Sequence, residues 1–333
     1  MTRKQKTRRN GPEFWIRSHK EGIYAVYKLG IVGLGAWGKR LVNAVHDKSE
    51  IVQFTAAATR TPSKVADFAA ERNIRVSADA ADIYGDVDAI VVAGHAGYHA
   101  SDAMAAVEAG KPVLVIKPIA TTPADAEALC AKAADKGVLA AMGYDRCFAP
   151  AFDGLRKRVA AGDLGRIFHA SGADAWKADP ETNPPGSLAD HMMYMMIELM
   201  GPVSALSVDA TTQVVPHDFS DTASVTLRFA DGQSGTLTAI GVAPNYNRLH
   251  VYGEKGWAEM RGTNRLEFQP AGGDLVVEDF DAVDMCRVEL ETFAAAARGD
   301  ATWPVPPEDA VNGVAALEAM LKSSRTDGAR IPV

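Results

Sequence analysis

The chain has 333 residues, 47% hydrophobic, 23% charged and 7% aromatic, a balance that suits a folded chain of two domains and excludes a disordered or fibrous one. Forty-two acidic side chains against 35 basic ones give a formal charge of −7, which argues against a nucleic-acid partner. In the tail of residues 1–23, Arg3, Lys4, Lys6, Arg8, Arg9, Arg17 and Lys20 face Glu13 and Glu21, so the remainder is more acidic than the whole. This tail lacks the apolar stretch of a secretory leader and any amphipathic period, and is expected to be disordered. No run approaches the roughly 18 apolar residues of a membrane span. Cys130, Cys147 and Cys286 are too few and too irregularly spaced for a disulfide framework or a metal site. A reduced, cytoplasmic protein without membrane, nucleic-acid or metal partners is expected.

From residue 24 to about 148, short β-branched runs (residues 25–33, 51–59, 89–94, 112–116 and 138–144) alternate with Ala-rich helical stretches. This is the pattern of right-handed βαβ crossovers, hence an α/β Rossmann domain with a doubly wound parallel sheet. Thr122 before Pro123 reads as a helix start, and Gly110 and Gly137 as helix stops. Residues 149–333 form the second expected domain, whose texture after Gly165 changes to strands separated by turn signals, including Asp231-Gly232 and Glu254-Lys255-Gly256. Helices are expected at 187–200, 284–297 and 308–324, which makes this domain α+β with a large, open, mostly antiparallel sheet.

The first chemical motif is Gly33-Leu34-Gly35-Ala36-Trp37-Gly38, a G-x-G-x-x-G directly after a strand and ahead of a helix. Gly33 would make the tight turn, Gly35 admit a pyrophosphate to the backbone, and Gly38 let helix and strand pack closely, with the helix N-terminus facing the anion. An NAD-preferring site places a carboxylate at the end of the second strand, for the ribose 2′-hydroxyl. Here that strand runs into Thr59, Arg60 and Thr61, with Ser63 and Lys64 beyond. A guanidinium at this place suits a 2′-phosphate, so NADP is the preferred cofactor and NAD the other possibility. A solvated loop arginine is the plain alternative.

Val113-Leu114-Val115-Ile116 is an apolar strand that ends in Lys117-Pro118, at the edge where doubly wound sheets bind their ligands. Desolvation and a nearby nicotinamide cation would lower the lysine pKa, which suits an amine that exchanges the proton of a substrate hydroxyl. The glycine loop, the run from Ala93 to His99, the segment from Ala109 to Pro118 and that from Gly143 to Pro150 together resemble the Gfo/Idh/MocA oxidoreductase family. The resemblance continues through Gly162–Ile167, Val251–Gly256 and Ala316–Ala319 with Ser323, Ser324 and Gly328, so it covers residues 26 to 333.

It implies hydride transfer between a nicotinamide and a hydroxyl or carbonyl carbon of a small sugar, cyclitol or cyclic diol, in a homodimer or homotetramer. It further implies that Lys117 is catalytic, that the Lys117–Pro118 bond is cis, and that His95 and His99 lie near the cofactor with Pro118. Ile116 stands where the family has Glu. The family's helix signature, Asp then His four positions on, is met in one of two registers. Either His191 is the acid/base, with Ser187 at the Asp place, or Asp190 takes the Asp place and Tyr194 the acid/base place. The methionines at 192, 193, 195, 196 and 200 read as core packing. By the same resemblance Tyr144, Arg146, Trp176, Lys177 and Asn183 border the substrate, with Arg146 one residue short of the family's usual Arg place, held by Cys147. Two other readings stay open: a non-catalytic NADP-binding sensor, and a redox-neutral enzyme with a tightly held cofactor.

Overall fold

The apolar runs of the amino-terminal half become strands at the expected places, and the glycines between them become the turns. The computed structural model describes residues 6–9, 25–177, 190–214 and 220–333, in two compact units. One comprises Glu13–Asp145 with Asp284–Val314, the other Met1–Pro12, Arg146–Val283 and Ala315–Val333. The expected division at residue 148 therefore differs twice, at Asp145 and in the return of residues 284–314 to the first unit. Within the tail expected to be disordered, Lys6–Arg9 form a strand, β1.

In the first unit β2 (Tyr27–Val32), β3 (Val52–Ala58), β4 (Arg75–Ser77), β5 (Ala89–Val92), β6 (Val113–Ile116) and β7 (Ala140–Gly143) make a six-stranded sheet in the order β4-β3-β2-β5-β6-β7. Every pairing is parallel. The chain winds outward through β3 and β4, then returns to lay β5 beside β2, so the winding reverses between β2 and β5 and leaves a crevice at their carboxyl ends. Helices α1 (Ala36–Val45), α2 (Ala66–Ala70), α3 (Ala81–Tyr84), α4 (His99–Glu108) and α5 (Pro123–Lys136) form the crossovers. The Thr122 hydroxyl accepts from the Asp125 amide at 3.2 Å, Pro123 fills the first turn, and Gly137 ends α5 at φ 64°, each device as read from sequence. Strand β4, three residues long, carries too little periodicity to be seen in advance.

The second unit is built on a ten-stranded sheet. Its elements are α6 (Pro150–Ala160), β8 (Ile167–Lys177), α7 (Asp190–Met200), β9 (Val203–Thr211), β10 (Thr222–Phe229), β11 (Ser234–Ile240), β12 (Val242–Gly253), β13 (Gly256–Arg261), β14 (Arg265–Pro270) and β15 (Val276–Phe280). Pairing is antiparallel except between β11 and β8 and between β1 and β15. The Asp231-Gly232 and Lys255-Gly256 hairpins form as expected, with Gly232 at φ 90°. Helix α7 sits directly on β8 because Gly172 has no side chain: a β-carbon there would lie 2.4 Å from Met192 Cγ. All five of its methionines are buried, the core role expected of them.

After β15 come α8 (Met285–Arg298), α9 (Pro307–Ser324) and β16 (Ile331–Pro332). Helix α8 returns to the first unit and packs on α1 and β3. Its inner face carries a polar set under the sheet: Cys286 lies 3.9 Å from Asp145 Oδ2, and the Glu289 carboxyl covers Gly143, where a β-carbon would come within 3.0 Å of Oε1. Burial pushes the Cys286 thiol up to about 12. Burial first, then the Asp145 charge, holds Glu289 well above the usual carboxylate range.

Folding takes up a proton at Glu289 wherever the unfolded chain would leave it ionised, so its contribution is full below the unfolded value and lost as pH rises above it. Glu289→Gln should therefore melt a few degrees above the parent at neutral pH, with the gain shrinking from about pH 8 to about pH 5. Thermal melts of both proteins across that range check it; a difference in Tm that does not change with pH would refute it.

Candidate functional site

The glycine loop forms where β2 ends. Gly33 adopts φ 96°, and a β-carbon on it would lie 2.5 Å from the Gly94 backbone; one on Gly38 would lie 2.2 Å from the Gly33 oxygen. Only hydrogen fits at either place. Around Gly35, by contrast, a β-carbon would meet nothing within 4 Å. Helix α1 begins at that open point with no side-chain cap and no acidic residue in its first turn, so its first amides and the positive end of its dipole are left for an anion. A dinucleotide pyrophosphate fits this cradle. Leu34 is buried, Ala36 is exposed, and Trp37 is half-buried with the Arg40 guanidinium 4.7 Å from its ring centroid.

The ends of the neighbouring strands complete the edge. Thr59 follows β3, its amide bonded to the Ser77 oxygen at 3.0 Å, and Arg60 and Ser63 are exposed just beyond. His95 follows β5, where its Nδ1 accepts from the Gly97 amide at 3.2 Å. Lys117 follows β6, half-buried; its amide donates to the Gly143 oxygen at 2.8 Å, and its bond to Pro118 is cis, as the resemblance implies. His99 is buried, with Nδ1 2.8 Å from the Pro118 oxygen and Nε2 3.1 Å from the Gly94 oxygen. A neutral imidazole can donate to only one of them. Both nitrogens are engaged by the chain, so His99, set near the cofactor by sequence reading, ties the β6 tip to the end of β5.

In the second unit β8 and α7 bring a different group together. Asp190 opens α7, and its Oδ1 accepts the His191 amide at 2.7 Å, an acidic residue at the positive end of a helix. His191 is half-buried. Tyr194 is buried, and burial first, then the Asp190 charge, pushes its phenol far above the ordinary value, so it keeps its proton near neutrality. Arg146 donates to Asp174 Oδ2 at 2.7 Å. Burial raises the Asp174 carboxyl while Arg146 pulls it back. Sequence reading offered Arg146 as a holder of a substrate anion; the structure commits it to a buried carboxylate, and Asp174, hidden in an alternating strand, gave no signal of its own. Trp176 is half-buried and Lys177 exposed at the end of β8, and Tyr144 in the first unit is buried. Asn183 and Ser187 lie outside the described residues. Among the described residues no group of three or more His, Cys, Asp or Glu side chains could hold a metal ion, and no helix is long and apolar enough to cross a membrane.

A glycine cradle at the point where a parallel sheet reverses its winding, with a lysine at the tip of β6 on the same edge, defines a dinucleotide-binding domain. The chain belongs to the Gfo/Idh/MocA family: residues 27–144 match the model for the oxidoreductase family with NAD-binding Rossmann fold, and residues 152–259 match that for the GFO/IDH/MocA C-terminal domain. It is accordingly an oxidoreductase with an NAD-binding Rossmann domain. Inositol 2-dehydrogenase 2 of Paenarthrobacter aurescens is 28% identical over 90% of this chain and 97% of its own. Among solved structures, levoglucosan dehydrogenase with NADH and L-sorbose superimposes with a TM-score of 0.82 at 20% identity, covering 93% of this chain and 99% of that one. The WlbA dehydrogenase of Bordetella pertussis, with NADH and UDP-GlcNAcA, gives 0.77 at 21% identity over 92% and 98%. At such identities these two show a shared fold.

The two kinds of glycine should separate by experiment. Gly35→Ala, with room for its methyl, should melt as the parent does yet bind dinucleotide at least about tenfold more weakly, about 1.4 kcal/mol. Gly38→Ala should lose thermal stability as well. Melting curves and NADPH fluorescence titrations test both; unchanged binding in Gly35→Ala would show that the ligand does not approach this backbone.

Proposed function

We propose that this protein is an NADP-preferring dehydrogenase that oxidises a hydroxyl, or reduces the matching carbonyl, of a small sugar, cyclitol or cyclic diol. The observation that carries the reading is Lys117, a half-buried amine at the carboxyl tip of β6, on the same edge as the glycine cradle. The names of the relatives, an inositol 2-dehydrogenase and a levoglucosan dehydrogenase, support the substrate class. Arg60 supports the phosphorylated cofactor, because no carboxylate follows β3 to receive a ribose hydroxyl. NAD is the alternative cofactor, and both solved relatives hold NADH.

The nicotinamide, when bound, supplies or accepts the hydride. The chain contributes the rest. The backbone at Gly33, Gly35 and Gly38 and the first turn of α1 hold the pyrophosphate. Lys117 binds the substrate oxygen and exchanges its proton during oxidation. His191 is the second proton-exchanging group, because an imidazole titrates near neutrality whereas the buried Tyr194 phenol does not. Asp190 fixes the start of α7 and hence the His191 backbone. On the same reading the protein works in the cytoplasm as a homodimer or homotetramer, through the face of the ten-stranded sheet turned away from α6 and α7.

Lys117→Ala should lower kcat by roughly a hundred- to ten-thousand-fold while NADPH titrations still reach saturation. Turnover is read as absorbance of the reduced nicotinamide against a panel of inositols, anhydrosugars and cyclic diols. An active Lys117→Ala enzyme would overturn the assignment of the lysine, and a parent inert on the whole panel would overturn the substrate class.

A further inference from the structure

Arg60 has no carboxylate within 4 Å among the described residues; what holds its guanidinium is an aromatic face. Its central carbon lies 5.8 Å from the centroid of the Tyr98 ring, which comes from a different strand end, the short turn Ala96–Tyr98 after β5. Tyr98 is 55% exposed, so its ring is accessible to a ligand as well as to Arg60. Its backbone is held on both sides: the Tyr98 amide donates to the His95 oxygen at 2.9 Å, and the Ser101 hydroxyl donates to the Tyr98 oxygen at 2.9 Å. The His95 ring meets the Tyr98 ring edge-on at 6.2 Å.

The kind of partner matters chemically. A carboxylate holding Arg60 would occupy two of its five N–H donors and cancel its charge. A ring face attracts the cation through its quadrupole and leaves every donor in the guanidinium plane free. The arginine is then restrained, with less rotamer freedom to lose on binding, and it still carries a full charge and an open fork for a dianionic oxygen cluster.

We propose that Tyr98 is a specificity-determining residue that holds Arg60 ready for the 2′-phosphate of NADP. The inference rests on the NADP reading above and adds to it the residue that makes the arginine selective. On this proposal Tyr98 acts through Arg60, so its effect is expected on the phosphorylated ligands alone.

The test compares dissociation constants, by fluorescence or calorimetry, for NADPH against NADH and for 2′,5′-ADP against 5′-AMP. Tyr98→Leu should weaken NADPH and 2′,5′-ADP by roughly two- to fivefold, the size of an exposed cation–π contact, and leave NADH and 5′-AMP unchanged. Tyr98→Phe should bind all four as the parent does. Tyr98→Glu, which puts a carboxylate under Arg60, should weaken the two phosphorylated ligands further. Arg60→Ala distinguishes the levels: if it weakens NADPH while Tyr98→Leu leaves every constant unchanged, the NADP reading stands and the role of Tyr98 is overturned. If Tyr98→Leu weakens all four ligands equally, Tyr98 acts on the adenine or on the fold, and the proposal fails. If Arg60→Ala changes nothing, both readings fall.

Discussion

The first unit depends on two missing β-carbons. Gly33 and Gly94 belong to neighbouring strand ends whose backbones approach so closely that a methyl group on Gly33 would overlap the Gly94 amide, and Gly38 touches the Gly33 oxygen in the same way. These contacts set how near α1 comes to β2 and where its first turn points. The first unit's other chemistry is arranged around that fixed point: Arg60 beyond β3, His95 and Tyr98 beyond β5, Lys117 beyond β6. Because the sheet reverses its winding between β2 and β5, these loops diverge and leave the crevice that a doubly wound sheet offers at its carboxyl edge.

Several polar groups inside the protein hold backbone. His99 spans two carbonyl oxygens on different strand tips, and the Lys117 amide is bonded to β7, so the segment that presents the lysine is tied to β5 on one side and β7 on the other. Elsewhere Ser323 is buried, donating to the Ala329 oxygen at 2.7 Å and accepting from the Val208 amide at 2.9 Å, which fastens the end of α9 to β9. Arg146 and Asp174 instead join two side chains at β8, 2.7 Å apart. Removing one member of such a pair leaves the other buried and uncompensated, at a cost of several kcal/mol.

Periodic features were legible in the sequence, and pairwise ones were not. The five main strands of the parallel sheet, the Thr122 cap, the glycine stops and the glycine loop each announce themselves within a few residues, because propensity and capping are local. Helix α6 went unread, since nothing in its sequence marks a start apart from Pro150. The return of α8 to the first unit was invisible for a different reason: it depends on what Cys286 and Glu289 meet, and those partners, Asp145 and Gly143, lie more than a hundred residues away. Asp174 and Tyr98 belong to the same class. An aspartate in an alternating strand and a tyrosine before a helix look ordinary until Arg146 and Arg60 are seen against them.

Charge is distributed so that an acidic chain can receive a polyanion. The protein as a whole carries a formal −7, and at distances beyond a Debye length of about 8 Å that surplus is screened in physiological salt. What an arriving dinucleotide meets is local. The first turn of α1 contains no acid, Arg60 has an aromatic partner in place of a carboxylate, and α1 itself carries Lys39 and Arg40. Asp145 lies 3.9 Å from Arg40; it is buried, with Cys286 of α8 3.9 Å from its Oδ2. The first turn of α1 is thus kept free of acids and Arg60 is set against a ring, so a local attraction for an anion survives on a molecule whose net charge would oppose it.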